Sequence, residues 1–558
     1  MKKVIALLLV LAMIFSLAAC TAPAPAGTDT GKEEQQEAGN EEAAEPAEAE
    51  ETGEKVLRIA YHATLTSLNP FQGMSEAMGP LGLYGYQTLF YKSQYVSDDK
   101  MIGDSGLYPG IGKTFTKTDP LTYDVEIFDY VVDSEGNKIT ADDVVFSVEE
   151  CINQGNLAMQ VGAISSVEKI DDYNIRFHMA NTQAGAFNNS VTQISIVSKA
   201  AFEKYNGFVD ATETVSTSCY LIKNFVSGAS YEFVKNENYW QKDELRTMFD
   251  ETNVDRVIMT GVVDAPTRAG MVESGAADWA SRIDQSQLYL FDDTSKYNLF
   301  AIPNSLTYVL SFNMGGSKTE GGEASICEDN QKLREAIFTA IDCNALVASV
   351  ALGNGAVTHT YGNDGYPDYL KKWDEEYYFD YNPDKAKELL EEAGYKGETI
   401  TLLTSNNTTW SKIAEVIQGC LIAVGIDCKL NTVDDAMFVP TRNSYAGWDV
   451  TIDNKESGDY VTSTFKYSFD QDSFGGMTQC GYTDEDMQVL LRAALEEETH
   501  NAETADAFHQ YLKSIAISRG LYYDYYNYVA NINVKDNPLS DKCFIIFGHA
   551  QYDPALFK

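Results

Sequence analysis

A mixed α/β fold of several domains is what the sequence predicts, and three features predict it. Helix and strand patterns alternate: Asn382-Pro383 opens a helix that Gly394 stops, and Thr399 to Thr404 is a strand. Ile413, Val416, Ile417, Cys420, Leu421 and Val424 then form one helical face closed by Gly425, and Ile426 to Val433 is the next strand. Second, a β-hairpin stands earlier in the chain. Tyr220 to Phe225 and Tyr231 to Lys235 carry the aromatic and branched residues of a pleated surface, and Gly228 supplies the turn. Third, 558 residues at 44% hydrophobic, with 34 Tyr and 26 Phe, suffice for two to four globular domains.

The chain starts with a basic Met1-Lys2-Lys3, an apolar run from Val4 to Leu17 and small residues leading to Cys20. This is the pattern of a secretory signal, too short for a stable membrane span. The Leu17-Ala18-Ala19-Cys20 sequence resembles a bacterial lipobox, which implies cleavage before Cys20 and a lipid thioether on its sulfur. Thr21 to Lys55 has no aromatic residue and no Val, Ile or Leu, so it cannot bury enough surface to offset ordering entropy. It reads as an acidic tether between anchor and body.

A formal net charge of −42 argues against nucleic acid as a partner. Of the nine cysteines none forms a C-x-x-C pair or a zinc spacing, and no disulfide is assigned. The six histidines are scattered, and no metal or other cofactor is expected. Gly106 to Thr114 ends in Gly-Lys-Thr like a phosphate loop, but the spacing is one residue too long and Pro120 follows where a helix should begin. No G-x-S-x-G or H-E-x-x-H motif supports a surface hydrolase.

In order along the body, Val56 to Ala60 is the first strand, ending at Tyr61-His62. Thr140 is expected to cap a helix with acidic residues in its first turn. Val167 to Met179 is a second hairpin, with its turn near Asp171-Asp172. Val254 to Met259 is a strand, Val263 to Ala280 reads helix then strand, and Tyr308 to Asn313 is another strand. Asp329 is expected to cap a helix whose apolar face is Leu333, Ile337, Ala340 and Ile341, and Asp342 a second one. Two amphipathic helices lie in 482–498 and 505–518, and the tyrosine-rich Leu521 to Asn531 reads mainly as core.

Several of these stretches together resemble the family 5 extracellular solute-binding proteins, the dipeptide- and oligopeptide-binding receptors of ABC importers. Thr217-Ser218-Cys219-Tyr220 with Lys223-Asn224-Phe225 and Lys235 to Trp240 resembles the family's Gly-Thr-Gly-Pro-Tyr hairpin signature, with Ser218-Cys219 in place of Gly-Pro. Gly82 to Tyr91, Gly136 to Ser147, Arg268 with Gly275 and Asp278, Leu333 to Asp342, and Asp380 to Tyr395 match further family patterns in order, and the resemblance implies that Gly82 to Tyr91 is helical. The resemblance implies a two-lobed periplasmic-binding-protein-like fold, type II, of the large class with an extra domain. The three domains are domain I from 56–84, 208–300 and 528–558, domain II from 85–207, and domain III from 301–527, after a signal at 1–19 and a tether at 20–55. It implies a monomer that delivers ligand to ABC permease subunits and is not an enzyme.

The resemblance also implies the ligand-binding residues. His62 lies just past the first strand, as a cleft residue or a surface cap; Ser218, Cys219 and Tyr220 precede and open the hairpin, which in the family lies beside the cleft; Asn313 ends a strand. Trp410 is a cleft wall or a helix-entry staple. Around Trp448 to Tyr460 the family places backbone edges and a carboxylate for a ligand amine; Asp453, Glu456 and Asp459 are the candidates, with Asp459 favoured because it precedes Tyr460. Lys455 could pair a ligand carboxylate or neutralise Glu456. A short peptide is the expected ligand, with an oligosaccharide or another small solute as the alternative.

Overall fold

The computed structural model describes residues 53–72, 77–93, 99–155, 161–375, 379–456, 460–472, 478–540 and 543–557. Cys20 and Asp459 lie outside the described residues, as do the signal and nearly all of the tether.

One sheet of eleven strands runs through the body. Its order is Cys428–Val433, Ile400–Ser405, Val450–Glu456, Tyr297–Phe312, Ser518–Asn531, Trp279–Ala280, Val56–Tyr61, Arg256–Gly261, Ser230–Lys235 and Tyr220–Val226, with Gly355–Val357 also on Ser518–Asn531. A separate four-stranded antiparallel sheet, 112–119, 122–127, 174–179 and 164–171, carries the helix Ala141–Gln154. Thr140 opens that helix with a capping box to Asp143.

Two large apolar cores flank the middle of the long sheet. The first gathers residues between Leu57 and Met259 with Trp279 and the segment Tyr528 to Ala550; the second spans Tyr308 to Tyr522. Two strands pass from one to the other. Tyr297–Pro303 pairs with Tyr525–Asn531 beside the first core, and Thr307–Ser311 pairs with Ser518–Tyr523 beside the second. The register breaks between Pro303 and Thr307 and again at Tyr308/Val309. Pro303 has no N–H to give the ladder, so a break beside it costs little. These breaks mark the crossing between two lobes.

The structure departs from the sequence expectations in a few places. The helical turn expected over Gly82 to Tyr91 comes earlier, at Met78–Gly85, and Phe90–Lys92 is a strand. The crossing strand starts at Tyr297, well before Tyr308, held by its pairing with Ser518–Asn531; its first half lacks the clear apolar alternation that would mark it in the sequence. Asn330, not Asp329, caps the helix Gln331–Ala340, its side chain accepting from the Leu333 N–H. The hairpin Tyr220–Val226 with Ser230–Lys235 forms as expected, with Gly228 at φ +74°. It sits at the outer end of the sheet, however, four strands away from Ser518–Asn531. Among the described residues no disulfide joins two cysteines.

Candidate ligand site between the lobes

In parallel α/β sheets, ligands collect at the carboxyl ends of the strands. In the first lobe Val56–Tyr61 runs parallel to both Arg256–Gly261 and Trp279–Ala280, so His62, Val262 and Ser281 leave the sheet together. Arg268 clamps these exits. Its guanidinium donates to the carbonyls of Val262, Val263, Ser281 and Arg282 at 2.6–2.9 Å. His62 joins them, its Nδ1 lying 2.8 Å from the Ser281 hydroxyl, which also accepts the His62 N–H at 3.0 Å. In the second lobe Ile400–Ser405 runs parallel to Val450–Glu456, and the helix Thr408–Ala423 starts just beyond it.

A cavity of about 310 Å³ lies where these ends approach the crossing strands. Arg282, Asp284 and Gln285 line it from the first lobe, Leu352 and Thr409 from the second, and Tyr522, Asp524 and Tyr526 from the crossing strand. Residues two apart on a strand share a face, so the last three project together. Asn354 fixes the strand's position: its carbonyl accepts from the Tyr525 N–H at 3.1 Å and its Nδ2 donates to the Tyr525 carbonyl at 2.9 Å. Tyr522 stacks on Tyr308 at 4.7 Å, and the Arg282 guanidinium sits over the Tyr526 ring at 4.0 Å. Burial pushes the Asp524 carboxyl up to about 6. A larger hollow of about 440 Å³, between Pro120, Thr182 and residues 492–499, takes no lining residue from the crossing strands.

A second charged group lies farther along the sheet. Asp453, Lys455 and Arg442 are all buried, and Asp453 Oδ2 accepts from both Lys455 Nζ and Arg442 Nη1. Two cations against one carboxylate leave a net positive charge. Burial pushes the Lys455 ammonium down to about 8, with Asp453 pulling the other way. Asp453 therefore already has its cations, and Lys455 pairs with it and not with Glu456. Lys455 is paired in register with Thr307, where the crossing strand enters the second lobe.

The remaining candidates scatter. Ser218, Cys219 and Tyr220 are buried in the first lobe; Asn236 Nδ2 donates to the Ser218 carbonyl at 3.0 Å and the Tyr220 hydroxyl to the Val254 carbonyl at 2.7 Å. Asn313 is buried too, donating to the carbonyls of Tyr445 and Trp448 at 3.0 Å each, so it pins a loop. These four present no surface to a cleft. Trp410 packs edge-on against Phe438 at 4.7 Å, while its neighbour Thr409 lines the cavity. Tyr460 precedes the helix Val461–Phe469 and packs its ring against His500. Sequence reasoning missed Arg282, Asp284 and Asp524. An acid inside a tyrosine-rich strand was the signal for Asp524; nothing local marks Arg442 as the partner of Asp453.

The model of the bacterial extracellular solute-binding proteins, family 5 (Middle), matches residues 106–478. The chain belongs to this family. Its members are the solute-binding proteins of ABC importers, working outside the cytoplasm, and are not enzymes. This family 5 protein is 27% identical over 385 residues to the glutathione-binding protein GsiB of Pectobacterium atrosepticum, covering 67% of this chain and 69% of that one. HbpA2 of Haemophilus parasuis superimposes with a TM-score of 0.75 at 19% identity, covering 89% of this chain and 100% of that one. The oligopeptide-binding protein AppA of Bacillus subtilis, in complex with a nonapeptide, gives 0.62 at 18% identity, covering 90% and 99%. The fold is thus the mixed α/β periplasmic-binding-protein-like fold of family 5, as the sequence implied. Among the described residues no helix is long and apolar enough to cross a membrane.

Proposed function

We propose that this family 5 protein captures short peptides between its lobes and hands them to a membrane permease. The observation that carries the reading is the cavity at the crossing strands. Its charged and tyrosine side chains come from the first lobe and the crossing strand, the second lobe adds Leu352 and Thr409, and about 310 Å³ falls at the lower end of the usual small-ligand range of roughly 300–1,000 Å³. A peptide supplies an ammonium group, a carboxylate and amide groups, which match acidic, basic and backbone partners respectively. GsiB, whose name gives glutathione as its ligand, and AppA with its nonapeptide support a peptide-like solute.

The proposal extends to organisation and place. Domain I is built from 56–84, 208–300 and 528–558, domain II from 85–207 and domain III from 301–527, with ligand trapped by hinge closure about the crossing strands. Cys20 carries a lipid that holds a monomeric body at the outer face of the membrane. His62, Trp410, Lys455 and Tyr460 are further candidates for contact with the ligand, and Asp459 is a candidate partner for its amine.

The test is mass spectrometry of what co-purifies with the protein, followed by calorimetry with a mixed tripeptide library. Micromolar peptide binding, about −8 kcal/mol, is expected. Co-purified sugar with no peptide binding overturns the peptide assignment and favours an oligosaccharide.

A further inference from the structure

We infer that Asp524, with Tyr522 and Gln285, forms the ammonium subsite of the cleft; that the ammonium belongs to a peptide rests on the function proposed above. Three acceptors converge on one cavity. Among the described residues no group donates a hydrogen bond to the Asp524 carboxylate, although the residue is half-buried. Tyr522, two residues before it and on the same face, is fully buried, and its hydroxyl has no hydrogen-bond partner. The Oε1 of Gln285 is likewise buried without a partner. All three residues line the same 310 Å³ cavity. Buried polar groups are normally satisfied, so each unsatisfied one calls for an explanation.

An ammonium group answers all three, because it has three donors and no acceptor. The charge agrees. Asp284 and Asp524 face one cation, Arg282, whose guanidinium is held over the Tyr526 ring. Burial alone raises the Asp524 carboxyl, so its charged form lacks a stabilising partner. An anionic group has no such welcome here, and a neutral sugar would leave Asp524 uncompensated. The placement also suits a closing receptor. Gln285 belongs to the first lobe, Asp524 and Tyr522 lie on the strand that crosses to the second, and Thr409 faces them from the second lobe. A ligand ammonium bound here touches groups on both sides of the hinge. Asp453 does not compete for it, because Arg442 and Lys455 already hold that carboxylate.

The experiment is calorimetry on the full-length protein and on Asp524→Asn, Asp524→Glu and Asp459→Asn, with a mixed tripeptide library, its N-acetylated form, and propylamine as a bare ammonium probe. Asp524→Asn keeps the shape and removes only charge, so the variant folds; its melting temperature is checked first. Loss of one partner of a buried charge pair weakens binding by about 30-fold or more. Asp524→Asn should therefore weaken the library by about that factor, and Asp524→Glu should recover part of it. N-acetylated peptides should bind wild type and Asp524→Asn equally weakly. If peptides bind and Asp524→Asn matches wild type while Asp459→Asn loses affinity, the subsite is overturned and the peptide function stands. If no peptide binds but propylamine does, and only with Asp524 intact, the subsite stands and the peptide function falls. If neither the library nor propylamine binds, the subsite is overturned.

Discussion

Arg442 and Asp453, eleven residues apart, form an ion pair in which each side chain is less than a tenth exposed. Lys455 shares the same carboxylate oxygen. A buried charge is tolerated only when paired, so Asp453 is what allows two cations to be buried in the second lobe.

Asp453→Ala should accordingly be among the most destabilising single changes in the second lobe, by about 3–5 kcal/mol, because it leaves two uncompensated buried cations. Lys455→Met keeps the Arg442–Asp453 pair and most of the side-chain volume, and should cost less than about 1.5 kcal/mol. Urea denaturation of the two variants beside wild type checks the order; equal losses would contradict it.

Lys455 also predicts a pH dependence. Its ammonium is pushed down to about 8 from the ordinary 10.5, first by burial and against the pull of Asp453. Below 8 both folded and unfolded chains hold the proton, and the folded chain carries the whole penalty. Between 8 and 10.5 the unfolded chain binds more protons, so stability from this group rises with pH. The wild-type urea midpoint, measured relative to that of Lys455→Met, should be higher at pH 9.5 than at pH 7, and a flat difference argues against the burial.

Asp524 gives the opposite slope. Its carboxyl stands at about 6 against an ordinary 3.8, so between these values the folded chain holds more protons and stability falls as pH rises. Asp284 and Arg282 share its cavity, as do Tyr522, Tyr525 and Tyr526, and Tyr308 stacks on Tyr522. Burial pushes the Tyr308 and Tyr522 hydroxyls far up, so both stay protonated through this window. Asp524→Asn should remove the slope between pH 4 and pH 6.5. Equal pH profiles of the urea midpoint for variant and wild type would show that Asp524 is not the source.

Gly520→Ala tests the crossing itself. A Cβ there would stand 2.0 Å from the Thr360 carbonyl oxygen, a backbone atom that cannot swing away. Gly520 pairs with Val309 beside the register shift at Tyr308/Val309, so the added methyl must prise that segment from the strand. A loss of about 1–3 kcal/mol is expected, as for overpacked cores. The melting temperature reports it, and an unchanged value would mean that the strand yields at no cost.

Cys20→Ala should release the protein into the medium still folded, because the acidic tether from Thr21 to Lys55 separates anchor from body. Fractionation of cells expressing the variant decides; retention in the membrane to the wild-type degree overturns the lipid anchor.

The sequence by itself determined the local elements and the family. Thr140 as a cap, Leu333, Ile337 and Ala340 as one buried face, and Gly228 in its turn all follow from spacings of a few residues, which local sterics and solvent impose. The order of such elements carried the family. What only the tertiary structure decided is which side chains meet. The hairpin at Tyr220 looked like the wall of a cleft and is the outer edge of a sheet, because strand order follows from crossovers that no short pattern encodes. Asp453 looked free to hold an amine, and Arg442 takes it from a neighbouring helix. Gln285 and Asp524 are far apart in the chain and line one cavity, because Trp279–Ala280 pairs with the crossing strand and carries the residues after it to that strand's face. Burial and pairing are set by groups distant in sequence and near in space, and they decide whether a carboxylate is held or waiting for a ligand.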